Sequence, residues 1–355
     1  MHDLQASAAV TLIGSMPHQN RREAVELILQ AVPEIPVWPQ LSNYKAEQMM
    51  VQFLEGLPGV GELSGDLVLR TADGQVEDEI YAFYEEYLEI EEGRRDILGS
   101  RFRMGPETGQ TFFEFLDRLQ TAGLDCKAVK GQIVGPFTLL AGLKDQRDRA
   151  LLYDERYLDL VTKHLAMKAK WQIQHLKSLG YPVILFLDEP ALAGFGSSAF
   201  ISVSRELIQS LLKEVVDAIH QAGALAGIHI CANTDWLLAF ESSVEIINFD
   251  AYNYFGKFAL YKESFSRFIA DQRIVAWGVI PTSDPGTISQ ETSKSLADRW
   301  MQSITQLCSG ELSVEAILAQ SLFTPSCGCA SLPKEAAERV LRLTHELGHI
   351  MRAKL

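Results

Sequence analysis

Short runs of β-branched and aliphatic residues, most of them closing in Gly, Pro, Ser or Asp, alternate along this chain with longer stretches whose apolar residues recur every three to four positions. The short runs read as strands buried on both faces, and the 3.6 period reads as helices with one buried side. The runs are Val10–Ser15, Pro36–Leu41, Val129–Gly135, Val183–Asp188, Ala226–Cys231, Glu245–Asp250, Ile274–Ile280 and Ser321–Ser326, eight in all. Eight parallel strands alternating with helices close a (β/α)8 TIM barrel, an α/β fold, and that is the predicted class.

Helices are predicted over Tyr157–Leu179, Arg205–Ala222, Thr292–Cys308 and Lys334–Ala353. Ser204 stands where an N-cap belongs, Gly180 and Gly223 where left-handed C-caps belong, and Pro333 at a helix start. The stretch 43–128, between the second and third strands, breaks the alternation: it suggests a helix over Lys45–Leu57, a hairpin around Ala72-Asp73-Gly74-Gln75, and further helix. It lacks an apolar repeat of its own. The expectation is therefore one domain, 1–355, with 43–128 inserted as a cap over the barrel mouth.

In such a barrel the functional groups collect at the C-terminal ends of the strands, because the loops that follow them build the cleft. His229 and Cys231 end the fifth run two residues apart, so both side chains point to one face. Cys327-Gly328-Cys329 ends the eighth run, on the same rim. One imidazole and two thiolates form a soft donor set that selects zinc, and three protein ligands with an exchangeable fourth position is the layout of a catalytic zinc. For the fourth position Asp250, at the end of the sixth run, is the first choice and Cys329 the second.

Composition narrows the partners. With 32 Lys+Arg against 46 Asp+Glu in 355 residues the net charge is −14, and no basic run offsets it, which argues against nucleic acid and anionic membranes. No leader pattern and no apolar stretch of membrane-spanning length is seen, so a cytoplasmic protein is expected. Five irregularly spaced cysteines do not resemble a disulfide framework, and Cys126 and Cys308 read as small buried hydrophobes. Two further patterns are set aside. His345-Glu346-Leu347-Gly348-His349 matches a zinc-protease motif, but six residues after it leave no room for a third ligand, and both histidines fall on the solvated side of the last helix. Gly59-Val60-Gly61-Glu62-Leu63-Ser64 follows a helix rather than a strand and lacks the third glycine of a dinucleotide loop.

Taken in order, Ile13-Gly14-Ser15-Met16-Pro17, Gln132-Ile133-Val134-Gly135-Pro136-Phe137-Thr138, Leu187-Asp188-Glu189-Pro190-Ala191, His229-Ile230-Cys231 and Cys327-Gly328 resemble the strand ends of the superfamily that unites uroporphyrinogen decarboxylase, cobalamin-independent methionine synthase and the corrinoid-dependent thiol methyltransferases. The pieces span nearly the whole chain. The decarboxylase branch carries an arginine-rich N-terminal segment, which Gly14-Ser15-Met16-Pro17-His18 lacks; the methyltransferase branch holds zinc through a His, a Cys and a late Cys, matched by His229, Cys231 and Cys327. Methionine synthases add a Glu at the end of the sixth strand, where this chain has the shorter Asp250. The resemblance also implies that Ser15 contacts the carboxylate, and Asp188 the amino group, of an amino-acid thiol.

The resemblance thus implies a zinc-dependent methyltransferase that moves a methyl group from a donor to a small thiol such as homocysteine or coenzyme M. The zinc-activated substrate thiolate is the nucleophile, with no separate protein nucleophile. A chain of single-barrel length favours a methyl-corrinoid donor, carried by a corrinoid protein, over a folate-like one. The competing expectations are a decarboxylase acting on a tetrapyrrole and a non-catalytic barrel that binds a corrinoid or thiol as a partner subunit.

Overall fold

The computed structural model describes residues 4–63, 66–71, 74–310 and 312–355. Its strands are β1 (Ala9–Val10), β2 (Ser15–Met16), β3 (Gln40–Leu41), β4 (Val60–Leu63), β5 (Asp66–Leu69), β6 (Val129–Val134), β7 (Val183–Asp188), β8 (Leu225–Ile230), β9 (Ile246–Phe249), β10 (Ile274–Ile280) and β11 (Ser321–Pro325). Seven form one parallel sheet in the order β1-β11-β10-β9-β8-β7-β6. The remaining gap is bridged by the second run: Ser15 pairs with Gln40 and Met16 with Leu41, while Val37 bridges in parallel to Lys130 of β6. The curled sheet with helices around it is TIM-barrel-like, as the alternating runs predict, although the first two runs pair over only a few residues each.

Strand alternation explains how the interior is layered. A compact apolar cluster joins Ala9, Ala128, Ile184, Phe186, Ile246, Ile274, Ala276 and Leu322, residues from strands all round the sheet, and so forms the floor of the barrel. Moving up each strand by two keeps the same face. From Ala128 that step reaches Lys130 and Gln132; from Phe186, Asp188; from Leu225, by way of Gly227, His229 and Cys231; from Ile246, Asn248 and Asp250; from Leu322, Thr324 and Ser326. The polar residues of these otherwise apolar runs thus stack above the floor, toward the C-terminal rim.

The outer helices begin and end where their capping residues stand. Ser204 accepts from the Leu207 amide at 3.1 Å to open the helix Arg205–Gln221, and Thr292 with Ser295 forms a capping box on Ser293–Ile304. Gly180 and Gly223 take φ of +83° and +76° after the helices Glu155–Lys177 and Arg205–Gln221, a conformation that L side chains rarely adopt. Pro333 precedes the last helix, Lys334–Arg352. Among the described residues no helix is long and apolar enough to cross a membrane.

The segment 43–128 differs from expectation in two places. The expected helix over Lys45–Leu57 is instead two 3-10 turns, Lys45–Glu47 and Val51–Phe53. Tertiary contacts override the periodicity: Glu47 is fully buried and accepts from Arg21, Thr111 and the Leu41 amide, while buried Gln52 bonds Gln40 and the Thr108 carbonyl. Two polar side chains five residues apart are both drawn inward, which no single helical face provides. The hairpin is formed by β4 and β5, earlier than expected; Gly74 and Gln75 instead open the helix Gly74–Glu91, and Ala72 and Asp73 lie outside the described residues. This segment rests against the helix Glu155–Lys177, through Tyr157 Oη on the Arg70 carbonyl (3.0 Å), His164 Nε2 on the Phe53 carbonyl (2.7 Å) and Lys168 Nζ on the Arg103 carbonyl (3.0 Å).

Candidate metal centre

His229 lies within β8, and Cys231 follows that strand by one residue; Cys327 stands two residues past the end of β11. Among the described residues these three form a group whose ligand atoms all lie within 4.8 Å of one another. His229 is buried, and its Nε2 has no hydrogen-bond partner, while its Nδ1 is engaged by Asn248 Oδ1. Burial pushes the imidazole down to about 4, with the Asn248 bond opposing and the Lys130 charge assisting, so the ring is neutral at neutral pH. A neutral imidazole with an orphaned buried nitrogen, facing two thiols, fits zinc chemically: that ion takes one nitrogen and two sulfurs at about 2.0–2.3 Å.

The thiols act as a pair. A hydrogen bond between them lowers Cys231 and raises Cys327 far above the ordinary thiol range, so the pair retains its second proton. A cation between them reverses that retention, because a coordinating thiol ionises outright. The turn behind Cys327 is tight. A Cβ on Gly328 would meet Ser15 Oγ at 1.9 Å, and the Cys329 amide donates to the Ser15 carbonyl at 2.8 Å, so the loop after β11 is clamped to β2. This close approach requires glycine.

Of the two residues expected for a fourth ligand, neither joins the group of three. Asp250 is buried and its two oxygens accept from Asn253, from the amide at 2.9 Å and from Nδ2 at 2.7 Å, capping the helix Ala251–Phe258. Burial raises its carboxyl against those bonds. Cys329 is packed into the apolar core and its thiol is pushed up to about 12 by burial.

Asp188, the last residue of β7, pairs in register with His229. Its carboxyl is buried, Oδ1 has no partner, and burial lifts it to about 7 against the pull of Lys130. Lys130 is fully buried inside the barrel, with Nζ 2.9 Å from the Ile13 carbonyl and 4.4 Å from the centre of the Phe186 ring. Burial brings it down to about 8, with Asp188 opposing. Ser15 is half-buried on β2 beside the Cys327 loop. The neighbouring Glu189 faces elsewhere: it accepts from the Phe137 and Thr138 amides at 3.0 and 2.8 Å and from Thr138 Oγ1 at 2.6 Å, fixing the turn that follows β6.

Sequence reasoning missed Asn248, Thr324 and Lys130 as parts of the site. The signal was a polar residue at even spacing within an apolar run, as in Ile246-Ile247-Asn248-Phe249. The two histidines of the zinc-protease pattern remain apart from the centre. His349 is exposed; His345 is half-buried rather than solvated, with Nδ1 on the Ala31 carbonyl at 2.9 Å.

No protein-family model matches the chain, and no curated protein matches it. Among solved structures the fold is similar to a catalytic module of a pneumococcal exo-β-D-N-acetylglucosaminidase, at 9% identity and TM-score 0.49 over 96% of this chain and 85% of that one. It is more similar to a B12-independent methionine synthase from Shewanella sp. W3-18-1 in complex with selenomethionine: 16% identity and TM-score 0.57, over 98% of each chain. At that identity the likeness shows the barrel fold.

Proposed function

We propose that this protein is a zinc-dependent methyltransferase acting on a small thiol, with His229, Cys231 and Cys327 as the protein ligands. The observation that carries the reading is the convergence of those three side chains, with an orphaned imidazole nitrogen, at the C-terminal rim of a barrel. Zinc held by these three residues would supply the Lewis acidity that lets an acceptor thiol give up its proton to solvent near neutral pH.

The chain's own residues bind and orient the acceptor. Asp188 offers an unpartnered buried oxygen, suited to an ammonium, and the Lys130 charge beneath it favours its ionised form. Ser15 offers a hydroxyl beside the Cys327 loop, suited to the acceptor's carboxylate. Asp250, whose two oxygens are both taken by Asn253, is left out of the ligand set, so the fourth position is open to the acceptor thiol. In the transfer, the acceptor sulfur forms a bond to the methyl carbon as the bond from that carbon to the donor breaks, its electron pair leaving with the donor. Holding the two reactants in line at the rim supplies much of the acceleration.

Single-barrel length points to a corrinoid, yet a methionine synthase matched over 98% of its own chain is B12-independent, so length does not select the donor. The test offers purified, zinc-loaded protein a methyl-corrinoid or a methyl-folate together with homocysteine or coenzyme M, and follows the S-methyl product by mass. Methylation of one thiol, abolished in Cys231→Ala and Cys327→Ala, is expected. Binding of a corrinoid with no methylated thiol would favour a partner barrel instead, and loss of a carboxyl from a tetrapyrrole would favour the decarboxylase.

A further inference from the structure

Whether His229 can serve a metal depends on which ring nitrogen carries its proton, and the hydrogen bonds around β9 decide this. The Pro325 carbonyl accepts only, so Thr324 Oγ1, 2.9 Å from it, gives its hydrogen there and turns lone pairs toward Asn248. The Ala276 carbonyl also accepts only. One end of the Asn248 amide lies 2.7 Å from the Ala276 carbonyl and 2.8 Å from Thr324 Oγ1. Facing two acceptors, that end must be the NH2. The opposite end, Oδ1, faces His229 Nδ1 and can only accept. Nδ1 therefore carries the hydrogen, and Nε2 of the neutral ring is a bare lone pair, the same atom left without a partner beside the two thiols.

We infer that Asn248 is a positioning residue: held by Thr324 and the Ala276 carbonyl, it locks His229 into the Nδ1–H tautomer and presents Nε2 to the metal. The device spans β8 to β11 and is completely buried, since His229 is 3% exposed and Asn248 and Thr324 are 0% exposed. No water competes for these bonds. Asn248 also sets the ring plane, because its amide is fixed at both ends. A free imidazole would sample both tautomers and rotate, and each metal-binding event would then have to select the right one.

The inference rests on the zinc reading for its purpose but not for its test. The tautomer is read in metal-free protein from long-range 1H–15N correlations of labelled histidine, and the affinity from competition with a zinc chelator. Wild-type His229 is expected to show the Nδ1–H pattern. Asn248→Leu is expected to lose it and to bind zinc about 10–100-fold more weakly, the usual cost of removing a ligand's outer partner. Asn248→Asp keeps an acceptor for Nδ1–H and is expected to restore the tautomer. Thr324→Val leaves the Ala276 carbonyl to orient the amide, and its loss of affinity is expected to stay below about tenfold. Circular dichroism and thermal melts confirm folding; if Asn248→Leu fails to fold, the wild-type tautomer and the comparison of Asn248→Asp with Thr324→Val still decide. An Nε2–H pattern in wild type, or equal zinc affinity in folded Asn248→Leu, overturns the inference. Zinc that binds to no variant, with the Nδ1–H pattern present in wild type, overturns the zinc reading and leaves the tautomer lock standing.

Discussion

Gly328→Ala separates a tight turn from a merely convenient one. The new Cβ would stand 1.9 Å from Ser15 Oγ and 3.1 Å from Ser15 Cβ, whereas ordinary contact begins near 3.4 Å. The contact with the hydroxyl is the severe one, and the contact with Ser15 Cβ asks for a shift of only a few tenths of an ångström. The loop cannot simply retreat, because the Cys329 amide is bonded to the Ser15 carbonyl at 2.8 Å. Overpacking of this kind costs about 1–3 kcal/mol, and Ser15→Ala, which removes only a half-buried hydroxyl, is expected to cost about 1 kcal/mol or less. The two changes should not add: in the double variant the worst contact is gone, so its stability should fall about 1 kcal/mol or more short of the summed losses. Urea unfolding at constant m measures the cycle. Zinc affinity supplies the second readout, since Gly328 directly follows Cys327: Gly328→Ala should weaken binding, and adding Ser15→Ala should recover most of it. Additive stabilities together with unchanged zinc affinity in Gly328→Ala would refute the reading that the close approach of Gly328 to Ser15 holds Cys327 in place.

Two other substitutions probe different parts of the molecule. Asp188→Asn removes the charge from a buried carboxylate whose Oδ1 has no protein partner; KM for an amino-acid thiol should rise roughly 10–100-fold, the worth of a hydrogen bond to a charged group, while KM for a thiol without an amino group and the zinc content stay unchanged. Equal effects on both thiols would remove Asp188 from amine recognition. Lys168, fully buried against the carbonyls of Phe102 and Arg103, is pushed down to about 7 by burial, with Glu55 opposing. A lysine depressed in the fold weakens it most below the folded value near 7, where its charge is buried, and that penalty fades as pH rises toward the unfolded value near 10.5. The stability of wild type relative to Lys168→Met should therefore rise by about 2–3 kcal/mol between pH 7 and pH 9, at 1.36 kcal/mol per pKa unit, as read from chemical denaturation at each pH. A gap independent of pH would mean that this lysine stays charged in the fold.

The parts of this protein that were legible in its sequence share one cause. Parallel strands buried on both faces must be apolar runs, so Val183–Asp188 and Ile274–Ile280 read from the sequence with the bounds that the structure gives them. His229 and Cys231 were visible because alternation puts residues two apart on one face, and Cys327 because a closed sheet brings its last strand to the same rim. The insertion was less legible. Lys45–Leu57 carries helical periodicity, yet Glu47 and Gln52 are held by partners distant in sequence, and no local pattern reports those contacts. The role of Asn248 was hidden for a similar reason. A lone amide in Ile246-Ile247-Asn248-Phe249 marks an interior polar contact, but the pairing of Asn248 with His229 depends on the register of β8 against β9.

The central claim is that His229, Cys231 and Cys327 hold zinc. Metal analysis of the purified chain, repeated for Cys231→Ala and Cys327→Ala after each is shown to fold, addresses it most directly. Close to one zinc per wild-type chain, falling to a small fraction in both variants, is the expected result. Wild-type protein that takes up no zinc from a buffered supply, or variants that retain as much as wild type, would contradict it.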